Sequence, residues 1–504
     1  MQLRTAMIKI IIMSLLFIPS MLYAACTGTS PNLYAASASR DDVMACVNVA
    51  TYGDTINIPE CAAGGCVWAE GILITKDVKI KGQGTDAATG TNITVNLSGT
   101  GPLGSADQAI FWFAPDSTSV ANLDEMTDTH TFEISGISFT GNNTSYKYAI
   151  QIYHHTTPAI RRVKIYDNKF TSLNRAVGGP HGAIHGVFYN NVLYDTNMHY
   201  AEGASYVSFD SDRSLPGSGK GWYVEDNTII GTGIKEFWLG GANNEGGAVV
   251  YRYNTASGTQ TGVCDYIDIH GNQIGINAGQ FTEIYGNKIE LTLSSGACNR
   301  ITYARGGQIR EFFNIFKGTG GSIQVIEEYS DVYSNNNYLN NRCSDPVGEV
   351  QICNDSCICQ KVHNSYFFNN RRSATGSIIN VDKSSDYDHL TNGILNAPVE
   401  VVENREYFKD NASFNGASGI GCGPLANLPA TCTAGVGYWA TNQSCSNLTG
   451  MVGANPSNPI MGTLYKCTST DTWKPYYTPY TYPHLLRVQK FTGNIMIGGA
   501  GLYD

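Results

Sequence analysis

One short pattern recurs along the middle of this chain: alternating apolar residues, an Asn, then another apolar residue two places on. It appears as VKIYDNKF around Asn168, VFYNNVLY around Asn191, WYVEDNTII around Asn227, VVYRYNTA around Asn254, TEIYGNKI around Asn287, REFFNIF around Asn314 and VYSNNNYL around Asn337, with ISFTGNN at Asn142 and VHNSYFF at Asn364 extending it. Successive Asn residues lie 26, 23, 36, 27, 33, 27, 23 and 27 positions apart. That period is too irregular for a hexapeptide left-handed helix, but it suits coils of several short strands joined by loops of varying length. Short strands cannot bury an apolar face alone. Stacked about 4.8 Å apart they share one continuous core. The expected fold is therefore all-β, a right-handed parallel β-helix. A sandwich or propeller would require hairpin signals and a steadier period. An Asn at the same bend of each coil is expected to take the left-handed backbone there and to hydrogen-bond to its equivalents above and below.

Composition agrees with a turn-rich solenoid. Of 504 residues 55 are Gly, about 11%, and only 15% are charged against a usual quarter. Residues 1–25 read as a secretory signal: a basic start with Arg4 and Lys9, an apolar run from Ile10 to Phe17, then Ala24 and Ala25 at a cleavage site. Cleavage there removes two cations and no acid, taking the net charge from −10 to −12. That balance argues against a nucleic-acid partner, which needs a basic face. No later stretch reaches the roughly 18 apolar residues of a membrane-spanning helix. The mature chain is thus expected to be secreted, periplasmic or on the outer cell surface. Tyr23-Ala24-Ala25-Cys26 also resembles a bacterial lipobox, so lipidation of Cys26 is the alternative.

Cleavage before Cys26 retains all 14 cysteines, an even number suited to disulfides in an oxidising compartment. They cluster at Cys343, Cys353, Cys357 and Cys359 and again at Cys422, Cys432, Cys445 and Cys467. Neither group has the paired CxxC knuckles of a zinc site, and no CxxCH offers covalent haem attachment.

A solenoid must close its ends. Ser39-Arg40-Asp41-Asp42 followed by Val43, Cys46, Val47 and Ala50 predicts a short amphipathic helix over the first coil. GDTINIPE and ILITKDVKIKGQGT follow as first strands. This combination, with the stretch from Cys66 to Trp68, resembles the amino-terminal cap of secreted pectate-lyase-like right-handed parallel β-helix proteins. The resemblance continues through GWYVEDNTI, VVYRYNT, DIHGN, TEIYGNKI and ARGGQ, covering roughly residues 39 to 340. It implies the fold and leaves the chemistry open, since this fold carries lyases, hydrolases, esterases and adhesins. The expected division is 1–25 signal peptide, 26–415 solenoid with its cap, and 416–504 a Cys/Pro/Tyr-rich segment, extended and polyproline-like, packing on or capping the solenoid. Tyr476, Tyr477, Tyr480 and Tyr482 within it are expected to cover core; stacking on sugars is the alternative.

Strand alternation sets the faces. Residues three and five before each Asn should point inward, as Val163 and Ile165, Trp222 and Val224, Val249 and Tyr251, and Thr282 and Ile284. Residues two and four before it should point outward. The outward rows place Glu225 beside Arg252 and Glu283 beside Arg310, with Tyr285 next in line. Asp268 and His270 fall in the coil between Asn254 and Asn287, and Arg305 in the loop before Arg310. The same register turns Glu311 inward, which predicts a bulge or a slip in the Asn314 coil.

That ionic cluster is the main candidate site on a chain poor in charge; vertical Glu–Arg pairs on an exposed surface are the structural alternative. Elimination on a uronate-containing polysaccharide requires a cation on the carboxylate, a base for the C5 proton and an acid for the C4 oxygen. Arg252 or Arg305, His270 or an Arg, and Tyr285 are the candidates. Hydrolysis would instead use two carboxyl groups, with Asp268 and Glu283 the better pair. Catalytic candidates are therefore Arg252, His270, Glu283, Arg305 and Tyr285, and substrate-binding candidates Glu225, Asp268, Arg310 and Trp238. Asp210 and Asp212 offer oxygen ligands for calcium, the one cofactor suggested. His181 and His185, and His199 with Glu202, are weaker pairs. The expected function is a polysaccharide lyase acting on an extracellular glycan. A non-catalytic, glycan-binding envelope or adhesin-like protein is the alternative and a glycoside hydrolase the third reading. The oligomeric state is not legible.

Overall fold

The computed structural model describes residues 25–62, 65–98, 108–114, 131–142, 147–152, 161–178, 184–202, 216–235, 241–244, 248–261, 266–269, 281–293, 300–317, 321–325, 362–383 and 401–487. Among these the chain is nearly all strand. One coil illustrates the construction. Trp222–Glu225 lies in a 13-stranded sheet, the chain turns at Asp226 and Asn227, and Thr228–Lys235 joins a ten-stranded sheet. Gly241–Asn244 then joins a six-stranded sheet, and the chain returns at Ala248–Arg252, which pairs in parallel with Trp222–Glu225. In later coils the third side is a four-stranded sheet that begins at Ile267–Ile269. The result is a parallel β-helix.

Inward residues follow the expected alternation. Val163, Ile165, Trp222, Val224, Val249, Tyr251 and Ile284 share one buried apolar core, and Thr282 is buried with them. Each fully buried Ile or Val contributes roughly 1.5–3 kcal/mol relative to exposure. Aromatic rungs stack along the axis, as Phe139 does on Phe170 with centroids 5.4 Å apart.

The Asn ladder runs through Asn168, Asn191, Asn227, Asn254, Asn287, Asn314 and Asn370. Asn254 Oδ1 accepts from both the backbone N–H (3.1 Å) and Nδ2 (2.9 Å) of Asn227, and Asn227 Nδ2 also donates to Phe188 O (3.0 Å). The membership differs from expectation at both ends. Ile137, not Asn142, supplies the backbone N–H to Asn168, and Asn370, not Asn364, caps Asn314. Asn337 lies outside the described residues. The left-handed backbone also belongs one position earlier, at Asp167, Asn190, Asp226, Tyr253, Gly286, Phe313 and Asn369, with φ between 52° and 66°. The Asn itself stays free to align its amide with the axis.

The helix Arg40–Val49 is capped by Ser39, whose side chain accepts from Asp42 N–H, and buries Val43, Cys46 and Val47 against the first coils. Trp68 Nε1 donates to Ala38 O at 3.1 Å beside it. Cys26 is bonded to Cys46, so its sulfur is occupied by a disulfide and carries no lipid here. Cys61 pairs with Cys66.

The coil before Asn314 contains no bulge at Glu311. Glu311 stands in continuous register between Ile284 and Phe367 and points into the core, fully buried. Thr302 Oγ1 donates to its Oε1 at 3.1 Å. Burial raises this carboxyl to about 8, against the Thr302 bond. An acid kept neutral fits an apolar rung without distorting it.

Between residues 420 and 477 the chain forms strands where an extended, polyproline-like segment was expected. Ile420–Gly423, Gly437–Ala440, Thr463–Ser469 and Thr472–Tyr477 form a mixed four-stranded sheet, held by disulfides Cys422–Cys445 and Cys432–Cys467. This sheet and the residues that follow it to Arg487 form a strap, residues 420–487, that lies over the outer face of the 13-stranded sheet. Trp439, Leu464 and Tyr477 build a second apolar core there with Tyr223, Val250, Tyr285, Phe312, Tyr366 and Phe368.

Candidate functional site

The charged row forms as the register predicts, but it does not face solvent. Tyr189, Glu225, Arg252, Tyr285 and Phe312 stand on successive rungs of one row, and Val187, Tyr223, Val250, Glu283, Arg310 and Tyr366 on the next. Glu225, Arg252, Glu283 and Tyr285 are 0% exposed and Arg310 is 1% exposed. The outward face is a second interior, because the strap covers it.

Each charge is bonded across that interface. Arg252 Nε and Nη2 reach Glu225 Oε2, both at 2.6 Å. Arg252 Nη1 donates to Tyr285 Oη (2.9 Å) and Tyr480 O (2.7 Å), and Nη2 to Thr481 O (3.0 Å). Its guanidinium lies over the rings of Tyr223 and Tyr482 at 4.7 and 5.5 Å. Glu225 Oε1 accepts from Arg487 Nη1 (2.9 Å) and from His484 N–H (3.1 Å). Burial alone would raise the Glu225 carboxyl, but Arg252 and Arg487 outweigh it and hold the group below its ordinary range. Glu283 accepts from Gly217 N–H and Tyr477 Oη, each at 2.6 Å. There burial prevails over those bonds and raises the carboxyl. Arg310 Nη2 donates to Gln308 Oε1 (3.0 Å) and Tyr476 Oη (3.2 Å).

Asp226 and His484 complete the end of the clamp. Asp226, at the left-handed position of its coil, accepts from Asn455 N–H (2.7 Å), from Tyr482 Oη and from Arg487. His484 is 2% exposed. Its Nδ1 accepts from Leu486 N–H at 3.1 Å, which leaves Nε2 to donate to Gly219 O at 3.2 Å and fixes the neutral tautomer. Burial, which outweighs the attraction of Glu225, lowers the imidazole to about 4.

Asp268 and Arg305 stand elsewhere, on the four-stranded sheet. Arg305 Nη2 donates to both Asp268 oxygens at 2.7 and 2.6 Å, and Nε to Oδ1 at 3.0 Å. Tyr303, the rung partner of Asp268, lies under the Arg300 guanidinium at 3.8 Å and near that of Arg305 at 4.9 Å. Gln324 and Asp382 follow on the next rungs and are half-buried. The candidate residues are thus divided between two sheets instead of forming one constellation. His270, Trp238, Asp210, Asp212 and His181 lie outside the described residues. His185 is buried one rung from Arg162.

Arg300, Tyr303, Arg487 and His484 are the participants that sequence reasoning missed, while Tyr477 covers core as expected. Tyr303 was within reach, since it alternates with the inward Thr302 and Ala304. Arg487 and His484 carried no such signal, because nothing in a single sequence links Arg487 to a carboxylate 262 residues earlier. Among the described residues no group of three or more His, Cys, Asp or Glu side chains is placed to hold a metal, and no helix is long and apolar enough to cross a membrane. The chain matches no family model, no curated protein and no solved structure.

Proposed function

We propose that this chain is an exported solenoid that holds an extracellular polysaccharide on its lateral surface without cutting it. The observation that carries this reading is the state of Arg252. Four of its N–H groups donate to Glu225, Tyr285, Tyr480 and Thr481, and Nη2 also lies in ion-pair contact with Glu225. An arginine so used has no donor left for a uronate carboxylate. Glu283 and Tyr285 beside it have no exposed surface either. Export is supported by the four disulfides among the described residues. The test is co-sedimentation with a panel of insoluble acidic and neutral polysaccharides, followed by assay of the supernatant for unsaturated sugars and new reducing ends. Binding without either product is expected; cleavage of any bound glycan would overturn the reading.

A second reading, uronate elimination, is favoured by the meeting of Asp268, Arg305 and Tyr303 on the four-stranded sheet, away from the clamp. Arg305 would neutralise the carboxylate and Tyr303 protonate the leaving oxygen, while His270, the base expected from the sequence, lies outside the described residues. A screen of polyuronates, with and without calcium, for an ultraviolet-absorbing unsaturated product tests it. The reading requires Arg305→Ala to abolish that product.

A further inference from the structure

We propose that residues 480–487 form an acid-released latch, held on the solenoid by Glu225, Asp226 and Arg252 and freed as Glu225 and His484 take up protons, while the disulfide-bonded sheet behind it stays docked. The strap is attached by two different kinds of contact. Residues 420–477, cross-linked internally by two disulfides, are held on the solenoid by apolar packing of Trp439, Leu464 and Tyr477, none of which titrates in mild acid. Residues 480–487 are held mainly by charge. Arg487 bridges Glu225 and Asp226, Arg252 grips the carbonyls of Tyr480 and Thr481, and Glu225 accepts the His484 N–H.

Glu225 and His484, both held down in the docked state, favour release in acid, whereas Asp226 and Asp167, raised by burial, oppose it. Around His484 stand Glu225, Arg252 and Arg487, with the rings of Tyr223 and Tyr480 at 4.5 and 5.0 Å. Around Arg487 stand Glu225, Asp226, Asp167 and the ring of Tyr189. Tyr482 donates to Asp226. Protonation of Glu225, which Arg252 and Arg487 hold below its ordinary range, removes one of the two carboxylates on Arg487. Protonation of His484 at Nδ1 converts the acceptor of Leu486 N–H into a donor and places a cation beside Arg252 and Arg487. Glu283, which joins the sheet to the solenoid, can stay hydrogen-bonded to Tyr477 as a neutral acid. In the released turn His484 returns to the ordinary value of 6.5 from about 4. The released form therefore binds more protons, and docking weakens as pH falls between those values, roughly tenfold per pH unit for one proton.

Hydrogen exchange of the full chain, read by mass spectrometry and corrected for intrinsic rates, tests this. The amides of His484, Leu486 and Arg487 should lose roughly tenfold protection per pH unit below pH 6, while Thr463–Tyr477 and Ala248–Arg252 keep theirs. Arg487→Met should open the same turn at neutral pH. Full protection of 480–487 down to pH 4 would overturn the proposal. So would its loss only together with Thr463–Tyr477, or wild-type protection in the Arg487→Met protein at neutral pH.

Discussion

Tyr477 donates its hydroxyl to Glu283 at 2.6 Å across 194 residues of chain, inside an interface where both side chains are almost wholly buried. This contact joins a mixed sheet with two disulfides to the flank of a solenoid. It also explains why a row of charges that sequence register places on an outer surface is not a surface at all.

Removing the hydroxyl leaves Glu283 with Gly217 N–H as its one remaining partner of the two. Tyr477→Phe should cost about 1.5–3 kcal/mol, the range for a hydrogen bond to a charged group. Urea denaturation at neutral pH measures it, and a loss under 0.5 kcal/mol would mean that the bond does not hold the interface.

The Arg252–Glu225 pair should behave as a buried ion pair. Arg252→Met or Glu225→Gln alone strands a partner and should cost roughly 3–5 kcal/mol, whereas the double variant should cost much less than the sum. Arg487 still faces the neutral amide in the double variant, which is why it is not expected to be fully silent. Additive costs from a double-mutant cycle would contradict the pairing.

Glu311 gives the solenoid an alkaline weakness. Its folded carboxyl is raised to about 8 from 4.5, so the unfolded chain releases this proton first and stability falls as pH rises through that interval. The contribution is on the order of 4–5 kcal/mol at full ionisation. Glu311→Gln, which keeps an oxygen for Thr302, should raise the melting temperature at pH 8 and leave it nearly unchanged at pH 4. An equal shift at both pH values would show that the gain is unrelated to the proton.

The ladder should tolerate no small apolar replacement. Asn254 accepts two bonds from Asn227 and donates to Val224 O, Arg252 O and Asn287 Oδ1, so Asn254→Ala strands several buried groups at about 1–3 kcal/mol each. Thermal unfolding should fall well below wild type. The same change at Asn142, which stands outside the ladder, should have a smaller effect.

Much of this architecture was legible because the solenoid is local. Coil period, inward rows such as Val163 and Ile165, the Ser39 cap and the neighbouring of Glu225 with Arg252 all follow from residues within one or two turns of the cylinder. The exact ladder members were harder to read, since Asn364 and Asn370 are both followed by plausible strand residues and only register separates them. The bend itself was misassigned by one position because aromatic Tyr253 and Phe313 occupy left-handed backbone there, a placement their type does not announce. That the Cys/Pro/Tyr-rich segment packs on the solenoid, with its tyrosines covering core, was expected from composition; which row it covers was not. A strap that returns along the solenoid from residue 420 to residue 487 leaves no periodicity behind, so Arg252 and Glu283 looked available when they are enclosed. The same ignorance hid the division of Asp268 and Arg305 onto a different sheet.

The central claim is that this ionic row is an internal clamp and offers no surface to a glycan. Hydroxyl-radical footprinting of the native full chain at neutral pH tests it most directly, with oxidation of individual tyrosines read by mass spectrometry in the presence and absence of bound polysaccharide. The account predicts that Tyr223, Tyr285 and Tyr477 stay unmodified in both conditions, while the exposed Tyr34 is oxidised. Strong oxidation of Tyr285 in the free protein, suppressed when polysaccharide is added, would contradict it.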